Sequence, residues 1–112
     1  GRIATTRPSR YLEQLAAHLR HRLTVDVGAH AGTIQLGDAV AHLIAATSSL
    51  EVTVASSTDA DAHLLMGVIG SHLDRFAERE GAYFVWDDPA QAAAAAVAAA
   101  LDLRERQEAV RL

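Results

Sequence analysis

The chain has 112 residues, a formal net charge of −4 and no cysteine. A chain of this length supports one domain, and the lack of cysteine excludes disulfides and thiolate metal sites. Without a basic run it lacks the positive surface that binds nucleic-acid backbones. No apolar run reaches the roughly 18 to 20 residues of a membrane span, and residues 1–10 do not resemble a signal peptide. We therefore expect a soluble, cytoplasmic protein that binds neither nucleic acid nor membranes.

The first part of the chain predicts a strand followed by a helix. Residues 2–6 alternate weakly, as in a short strand. Pro8 suits the first turn of a helix, because its φ is already helical and its missing N–H would have no partner there. The apolar residues that follow recur at helical spacing; they are Leu12, Leu15, Ala16, Leu19 and Leu23. This pattern predicts a helix over 8–22.

The next stretch predicts four consecutive strands. From Leu23 onward apolar side chains recur at every second position, and short polar turns separate segments at about 23–27, 33–36, 39–46 and 50–54. Consecutive strands joined by short turns pair antiparallel. The sequence therefore predicts an antiparallel meander.

A second helix is predicted over 59–79. Thr58 can cap its first turn, where the carboxylates of Asp59 and Asp61 favour the positive end of the helix dipole. Residues 83–86 predict a last strand. The apolar stripe of this helix has a histidine near its centre; its members are Leu64, Leu65, Val68, Ile69, His72, Leu73 and Phe76.

An alanine-rich segment follows. Asp88 and Pro89 are typical of a helix start, and the sequence predicts a helix over 88–112 appended to a single α+β domain of residues 1–87. At about 1.5 Å per residue this helix would be longer than a small domain is wide, so we expect it to project or to pack on a partner. A partly ordered low-complexity tail is the alternative.

Together the elements predict an α+β fold in the order β-α-β-β-β-β-α-β. An antiparallel sheet of four to six strands carries two helices on one face, and the C-terminal helix is added to it.

Distinctive strings in the chain are Arg10-Tyr11-Leu12-x-Gln14-Leu15, His18-x-x-His21-Arg22, Gly32-Thr33-Ile34, and His72-Leu73-Asp74-Arg75-Phe76-Ala77-x-Arg79-Glu80 followed by Trp86. In these strings the chain resembles, over about residues 2–86, the bacterial family called domain of unknown function 2218. Leu19 departs from the family, which usually has tryptophan there, and the alanine-rich helix is an addition. The resemblance implies a fold similar to TATA-binding-protein-like or phosphohexomutase C-terminal domains and no assigned activity. Genes of the family are sometimes found beside genes of siderophore-interacting proteins, which is a hint of a link to iron metabolism.

Two histidines form a candidate metal site. His18 and His21 lie one helical turn apart, a spacing that can chelate a metal ion. His21 points away from the apolar stripe, and neither a carboxylate in a fixed third position nor an HExxH motif accompanies the pair. A solvated or hydrogen-bonded histidine pair is the alternative. No other cofactor is predicted.

The second helix carries a candidate anion site. We predict that His72, on the apolar stripe, is largely buried and hydrogen-bonded. Arg75 and Arg79 lie one and two turns further on, so that the three side chains could bind a carboxylate or phosphate. Structural pairing of the arginines with Asp26 or Glu80 is the alternative, and Asp26 is included among the candidate ligand-binding residues.

The predicted sheet leaves an apolar strip on its outer face. Alternation places Val40, His42 and Ile44 away from the helices. Such a strip marks a partner surface or the seat of the C-terminal helix. The face of that helix that is predicted to pack there, or against another copy, contains Ala90, Ala93, Ala94, Val97 and Leu101. We therefore expect a homodimer with the strip, Val97 and Leu101 at its interface.

These features predict a non-enzymatic module that binds a small anionic ligand or a partner protein and self-associates. No nucleophile with an adjacent base and no phosphate-cradling glycine loop is evident. The alternative is a metal-dependent or iron/siderophore-linked accessory enzyme that uses His18, His21 and His72.

Overall fold

Strands and helices follow one another in the predicted order. The structure, a computed structural model, describes residues 1–82, 84–88, 90–98 and 101. The elements are β1 (Arg2–Ala4), α1 (Pro8–Leu19), β2 (Thr24–Val27), β3 (Ala31–Leu36), β4 (Ala39–Ala45), β5 (Ser49–Ala55) and α2 (Asp59–Ala77), then a 3-10 turn (Glu78–Glu80) and a third helix, α3 (90–98). The α+β class is confirmed. Within the described ranges no helix is long and apolar enough to cross a membrane.

The five strands form one antiparallel sheet in the order β1-β5-β4-β3-β2. Strands β2 to β5 each pair with the next strand along the chain, which confirms the predicted meander. Strand β1 pairs with β5 at one edge of the sheet, whereas β2 forms the opposite edge. Helix α1, which connects β1 to β2, therefore crosses from one edge to the other. This crossing places α1 over the sheet and against α2.

Side chains between the sheet and the two helices build the core. Ile34, Leu43 and Val52 lie on three neighbouring strands and are at most 1 % exposed. Leu15 of α1 and Ile69 of α2 are fully buried against them. Full burial of such an aliphatic side chain contributes about 1.5 to 3 kcal/mol. This apolar layer therefore fixes both helices to the same face of the sheet.

The opposite face of the sheet is open. Cross-strand pairing aligns Asp26, Thr33 and His42 in one row across three strands. The residues on either side of each along its strand face the helices, so this row faces away from them. Ile44 is 53 % exposed, His42 is exposed and Val40 is half-buried. Val40, His42 and Ile44, called the outer strip below, therefore point away from the helices as predicted.

Gly37 forms the tight turn between β3 and β4. Its φ of +56° lies in the left-handed region that favours glycine. The Asp61 carboxylate of α2 accepts a hydrogen bond from the Asp38 N–H at 3.0 Å. A Cβ at Gly37 would lie 2.5 Å from the same carboxylate oxygen, so the turn and the start of α2 fit together only with glycine.

Helix α1 ends earlier than its predicted end at residue 22. The Arg20 N–H still donates to the Ala16 carbonyl, but the N–H groups of Arg22 and Leu23 both donate to the Leu19 carbonyl. These bonds turn the chain toward β2. Leu23, which continues the helical pattern in the sequence, packs on the core from this turn instead.

Helix α2 begins as predicted. The Thr58 hydroxyl accepts a hydrogen bond from the Asp61 N–H at 3.4 Å, which caps the first turn. After Ala77 the helix tightens into the 3-10 turn, and Gly81 at φ +68° ends it.

The last predicted strand is reduced to a single bridge. Val85 exchanges two backbone hydrogen bonds with Arg2, at 2.9 and 3.1 Å. The Phe84 N–H donates instead to the Asp74 carboxylate of α2 at 2.8 Å, so the ladder does not continue. Tyr83, which the prediction included, lies outside the described residues.

Helix α3 packs along α2. Ala95 is 2 % exposed and lines one cavity together with Gly67 and Gly70 of α2. Trp86 and Phe84 line the same cavity between the two helices. The Gln91 side chain also forms a hydrogen bond with the His63 ring of α2.

This placement contradicts one of the two predicted partners of α3, the outer strip of its own sheet, and leaves packing against another copy as a prediction. Within the chain, Ala95 is the position that packs on α2, whereas Val97 and Leu101 of the predicted face are 61 % and 53 % exposed. Alanine occupies almost every position of α3, so the sequence shows no difference in hydrophobicity between its faces that would select one for packing. The remainder of the predicted helix, at residues 89, 99, 100 and 102–112, lies outside the described residues.

Candidate functional site

A cleft opens between α1 and the C-terminal half of α2. The helices run antiparallel, because His18 late in α1 contacts Phe76 of α2, with ring centroids 5.0 Å apart, whereas Tyr11 early in α1 neighbours Glu80. The cleft has a volume of about 560 Å³. It is lined by Arg7, Arg10, Tyr11, Gln14, His18, Arg75, Phe76, Arg79 and Glu80.

Four arginines determine the charge of the cleft. Arg7 and Arg10 come from the start of α1, and Arg75 and Arg79 come from the end of α2 and the turn after it. Glu80 is the one acidic side chain among the lining residues. In the described part of the chain none of these four guanidinium groups lies within 4.0 Å of a carboxylate. Guanidinium groups bind carboxylates and phosphates through paired hydrogen bonds.

The helix ends at the cleft oppose one another electrostatically. The start of α1 carries the positive end of its dipole, and the end of α2 carries the negative end of its own. Because the two meet at the same cleft, their partial charges offset each other, and the side chains set the sign. The cleft is therefore electropositive.

Tyr11 forms the buried floor of the cleft. Its side chain is 3 % exposed, and its hydroxyl has no hydrogen-bond partner among the described residues. Burial, and after it the neighbouring Glu80 carboxylate, raises the pKa of Tyr11, so the hydroxyl keeps its proton. The Thr5 hydroxyl accepts from the Arg7 N–H at 3.0 Å and donates to Glu80 at 3.5 Å. The Tyr11 hydroxyl therefore lies beside Glu80 and Thr5, the two side chains that also affect its pKa.

Aromatic rings form one wall of the cleft. Phe76, His18 and His72 form a triangle of rings, in which the Phe76 centroid lies 5.0 Å from that of His18 and 6.4 Å from that of His72. The Nδ1–H of His18 donates to the Gln14 carbonyl at 2.9 Å, and the Nδ1–H of His72 donates to the Val68 carbonyl at 2.7 Å. These bonds fix both ring orientations and leave the lone pair of a neutral ring at Nε2.

His72 is half-buried, which corrects the prediction that it is largely buried. The fully buried stripe of α2 runs through Ile69 and Leu73 and leaves His72 on its flank. Partial burial lowers the pKa of His72, and the Arg75 guanidinium lowers it further. The ring is therefore mainly neutral at pH 7.

Asp26 does not join the cleft. Its exposed side chain lies on the outer face of the sheet, because Val25 and Val27 on either side of it face the helices. The sheet therefore separates Asp26 from Arg75 and Arg79. Neither the predicted ligand site that includes Asp26 nor its predicted pairing with these arginines is present in the structure.

The two histidines of the candidate metal site do not share one helix in the structure. Helix α1 ends at Leu19, and His21 lies in the exposed turn beyond it. In the part of the chain that is described, His21 has no hydrogen bond or ring contact. His18 instead neighbours His72, with ring centroids 6.1 Å apart. No cluster of three or more metal-ligating side chains occurs among the described residues.

Sequence analysis missed the α1 side of the cleft. Arg7, Arg10, Gln14 and His18 recur at intervals of three and four residues, which is the signal of one helix face. The same pattern is typical of any solvated face, and nothing in it shows which other helix it meets. The sequence likewise contained no sign that Tyr11 of the same helix lies at the bottom of this cleft.

Comparison with known families agrees with the observed fold. A family model described as "Uncharacterized protein conserved in bacteria (DUF2218)" matches residues 1–87. The chain belongs to this family. The part that matches DUF2218 contains both helices of the cleft and ends before α3. No curated protein matches the chain.

The fold of this DUF2218 member is also similar to a solved structure, the NMR structure of PA4090 from Pseudomonas aeruginosa. The two chains are 25 % identical and superpose with a TM-score of 0.58, over 68 % of this chain and 83 % of the other. The likeness supports the α+β architecture.

Proposed function

We propose that this DUF2218 domain is a binding module for a small anionic ligand, which it holds in the cleft between α1 and α2. The convergence of four arginines on a cleft with one carboxylate, Glu80, carries the proposal. The chain as a whole has a net charge of −4, so this local excess of positive charge runs against its overall balance. Arginine is also the residue best suited to bidentate recognition of carboxylates and phosphates.

Charge repulsion within the cleft supports the same function. Arg75 lies in the last turn of α2 and Arg79 four positions later in the 3-10 turn, and both like charges line the same cleft, where they repel one another. A bound anion offsets this repulsion and supplies an acceptor for guanidinium donors. The proposal concerns binding and assigns no reaction.

The metal-dependent alternative is less well supported by the same geometry. The histidine pair that the structure does bring together, His18 and His72, lies beside Arg75 and Arg22, which lower the pKa of His72 through their positive charge. Cations raise the cost of placing a metal ion there by the same Coulomb interaction. The cleft therefore favours an anion over a metal ion.

We also propose that the chain self-associates through α3. Val97 and Leu101 lie one helical turn apart and are both largely exposed. They border a shallow apolar cavity that also contains Leu64 of α2. Contiguous exposed apolar side chains of this kind are typical of partner surfaces.

Titration with methyl phosphate, followed by NMR of the backbone amides at low salt, tests the anion site. Saturable shifts are expected at α1 and at the end of α2. The double variant Arg75→Gln/Arg79→Gln should bind about tenfold more weakly or worse, because it loses charge-assisted hydrogen bonds. The matched control Arg2→Gln/Arg20→Gln removes the same charge from exposed positions outside the cleft and should bind as the wild type does.

Two outcomes would contradict the proposal. One is the absence of saturable shifts in the cleft. The other is an equal loss of affinity in both double variants, which would show that net charge and not the cleft attracts the anion.

A further inference from the structure

The cleft has an aromatic wall in addition to its arginines. Phe76 and His18 both line it, with ring centroids 5.0 Å apart and planes inclined at 59°. The Phe76 ring is half-buried, whereas His18 is exposed. Part of a bound ligand therefore meets ring surfaces instead of guanidinium groups.

The size of the cleft exceeds the needs of a simple inorganic anion. Its volume of about 560 Å³ falls in the range of about 300 to 1,000 Å³ that small organic ligands occupy. An anion held by Arg75 and Arg79 alone would leave the Phe76 wall facing water. A ligand with both a charged group and an apolar body fills the cleft more completely.

We infer that the ligand class is an aromatic ring that carries a phosphate or carboxylate group. This inference rests on the proposed anion site and adds the ring. The charged group binds the arginines, and the ring packs against Phe76 and His18 in the offset or edge-to-face geometry that aromatic pairs prefer.

Probes with one charged group and different bodies test the ring directly. Phenyl phosphate should bind about three- to tenfold more tightly than methyl phosphate, the range expected for one aromatic contact. Cyclohexyl phosphate, which has a similar size without π electrons, should fall between them. Benzoate and acetate form the matching carboxylate pair and decide which charged group the arginines prefer.

Variants then test whether Phe76 and His18 cause the preference for phenyl phosphate over methyl phosphate. Phe76→Leu should remove most of the difference in affinity between phenyl and methyl phosphate. His18→Asn should reduce the difference, whereas His42→Asn on the outer strip should not. Intermolecular NOEs between phenyl phosphate and the Phe76 ring of the wild-type chain are expected, and they do not depend on whether a variant folds.

The outcomes separate this inference from the proposed function. If methyl and phenyl phosphate bind the cleft equally, the aromatic class is overturned and the anion site stands. If cyclohexyl phosphate binds as tightly as phenyl phosphate, or if Phe76→Leu keeps the full difference, the aromatic contact is likewise overturned. If neither phosphate binds the cleft, the proposed function itself fails.

Discussion

The half-buried ring of His72 couples the fold to pH. Burial is the main cause of its lowered pKa, and three positive or titratable groups add to it: Arg75 on its own helix, His18 on α1 and Arg22 in the turn after α1. The hydrogen bond to the Val68 carbonyl acts in the opposite direction. The unfolded chain lacks these influences, so its imidazole titrates near the ordinary value of about 6.5.

The sign of the resulting pH dependence follows from proton linkage. Above about pH 6.5 the ring is neutral in both states, and its contribution to stability is fully present. As pH falls through 6.5 toward the lower folded pKa, the unfolded state binds the proton first, and stability is lost. We expect the free energy of unfolding to decrease between pH 7 and pH 5 less steeply in His72→Gln than in the wild type, as measured by urea unfolding.

His21 provides the control for this measurement. It lies in an exposed turn, so His21→Gln should keep the wild-type slope. Equal slopes for His72→Gln and the wild type would show that His72 does not carry the pH dependence.

At the scale of elements, α3 shows how an alanine-rich helix attaches with little apolar area. Alanine has high helix propensity, so the segment needs little help to be helical, but each side chain buries little surface. Its attachment to α2 therefore rests on few contacts, among them the buried Ala95 and the hydrogen bond between Gln91 and His63. A Cβ at Gly70 of α2 would lie 3.3 Å from the Trp86 indole nitrogen, so this glycine makes room for Trp86.

A buried charge in this contact should detach α3. Ala95→Asp places a carboxylate at a position that is 2 % exposed, and burying it without a partner costs about 1 to 3 kcal/mol or more. Undocking of α3 avoids that cost, so we expect a shift in the fluorescence of Trp86, the single tryptophan of the chain, which lines the same cavity.

Ala93→Asp is the matched control, because it makes the same change in helix propensity at an exposed position of α3. It should leave the Trp86 emission maximum unchanged. Identical spectra for the two variants would contradict the packing of α3 on α2 through Ala95.

At the scale of the whole molecule, two exposed surfaces compete as sites of self-association. One is the outer strip of the sheet, where Ile44 is 53 % exposed, and the other is the pair Val97 and Leu101 on α3. They lie on different sides of the chain, because α3 packs on α2 and the outer strip faces away from both helices. Variants can therefore separate them.

We expect the full chain to be a homodimer in light scattering and Val97→Ser/Leu101→Ser to shift it toward monomer. Loss of two apolar side chains from an interface removes the favourable burial that would hold the copies together. Ile44→Ser should leave the mass unchanged. A dimer that only Ile44→Ser dissociates would place the interface on the sheet, and a monomeric wild-type chain would contradict self-association altogether.

The sequence by itself determined the elements, because their causes are local. Alternation in β2 to β5, the Thr58 cap of α2 and the proline at the start of α1 each act within a few residues, and all three predictions are confirmed. The helix-facing and outward-facing sides of the sheet follow from the same alternation, which is why the outward direction of Ile44 was predictable. The C-terminal end of α1 was not predictable in this way, since Leu23 fits a helical stripe and a strand start equally well.

Only the tertiary structure decided which side chains share a site. Arg75 and Arg79 were evident as one end of α2, but their meeting with Arg7, Arg10 and Tyr11 depends on two helices that cross the sheet in opposite directions. The separation of Asp26 from these arginines has the same origin, because a sheet lies between them. The buried face of α3 was likewise set by its packing on α2, because the sequence leaves the alanines of this helix equivalent.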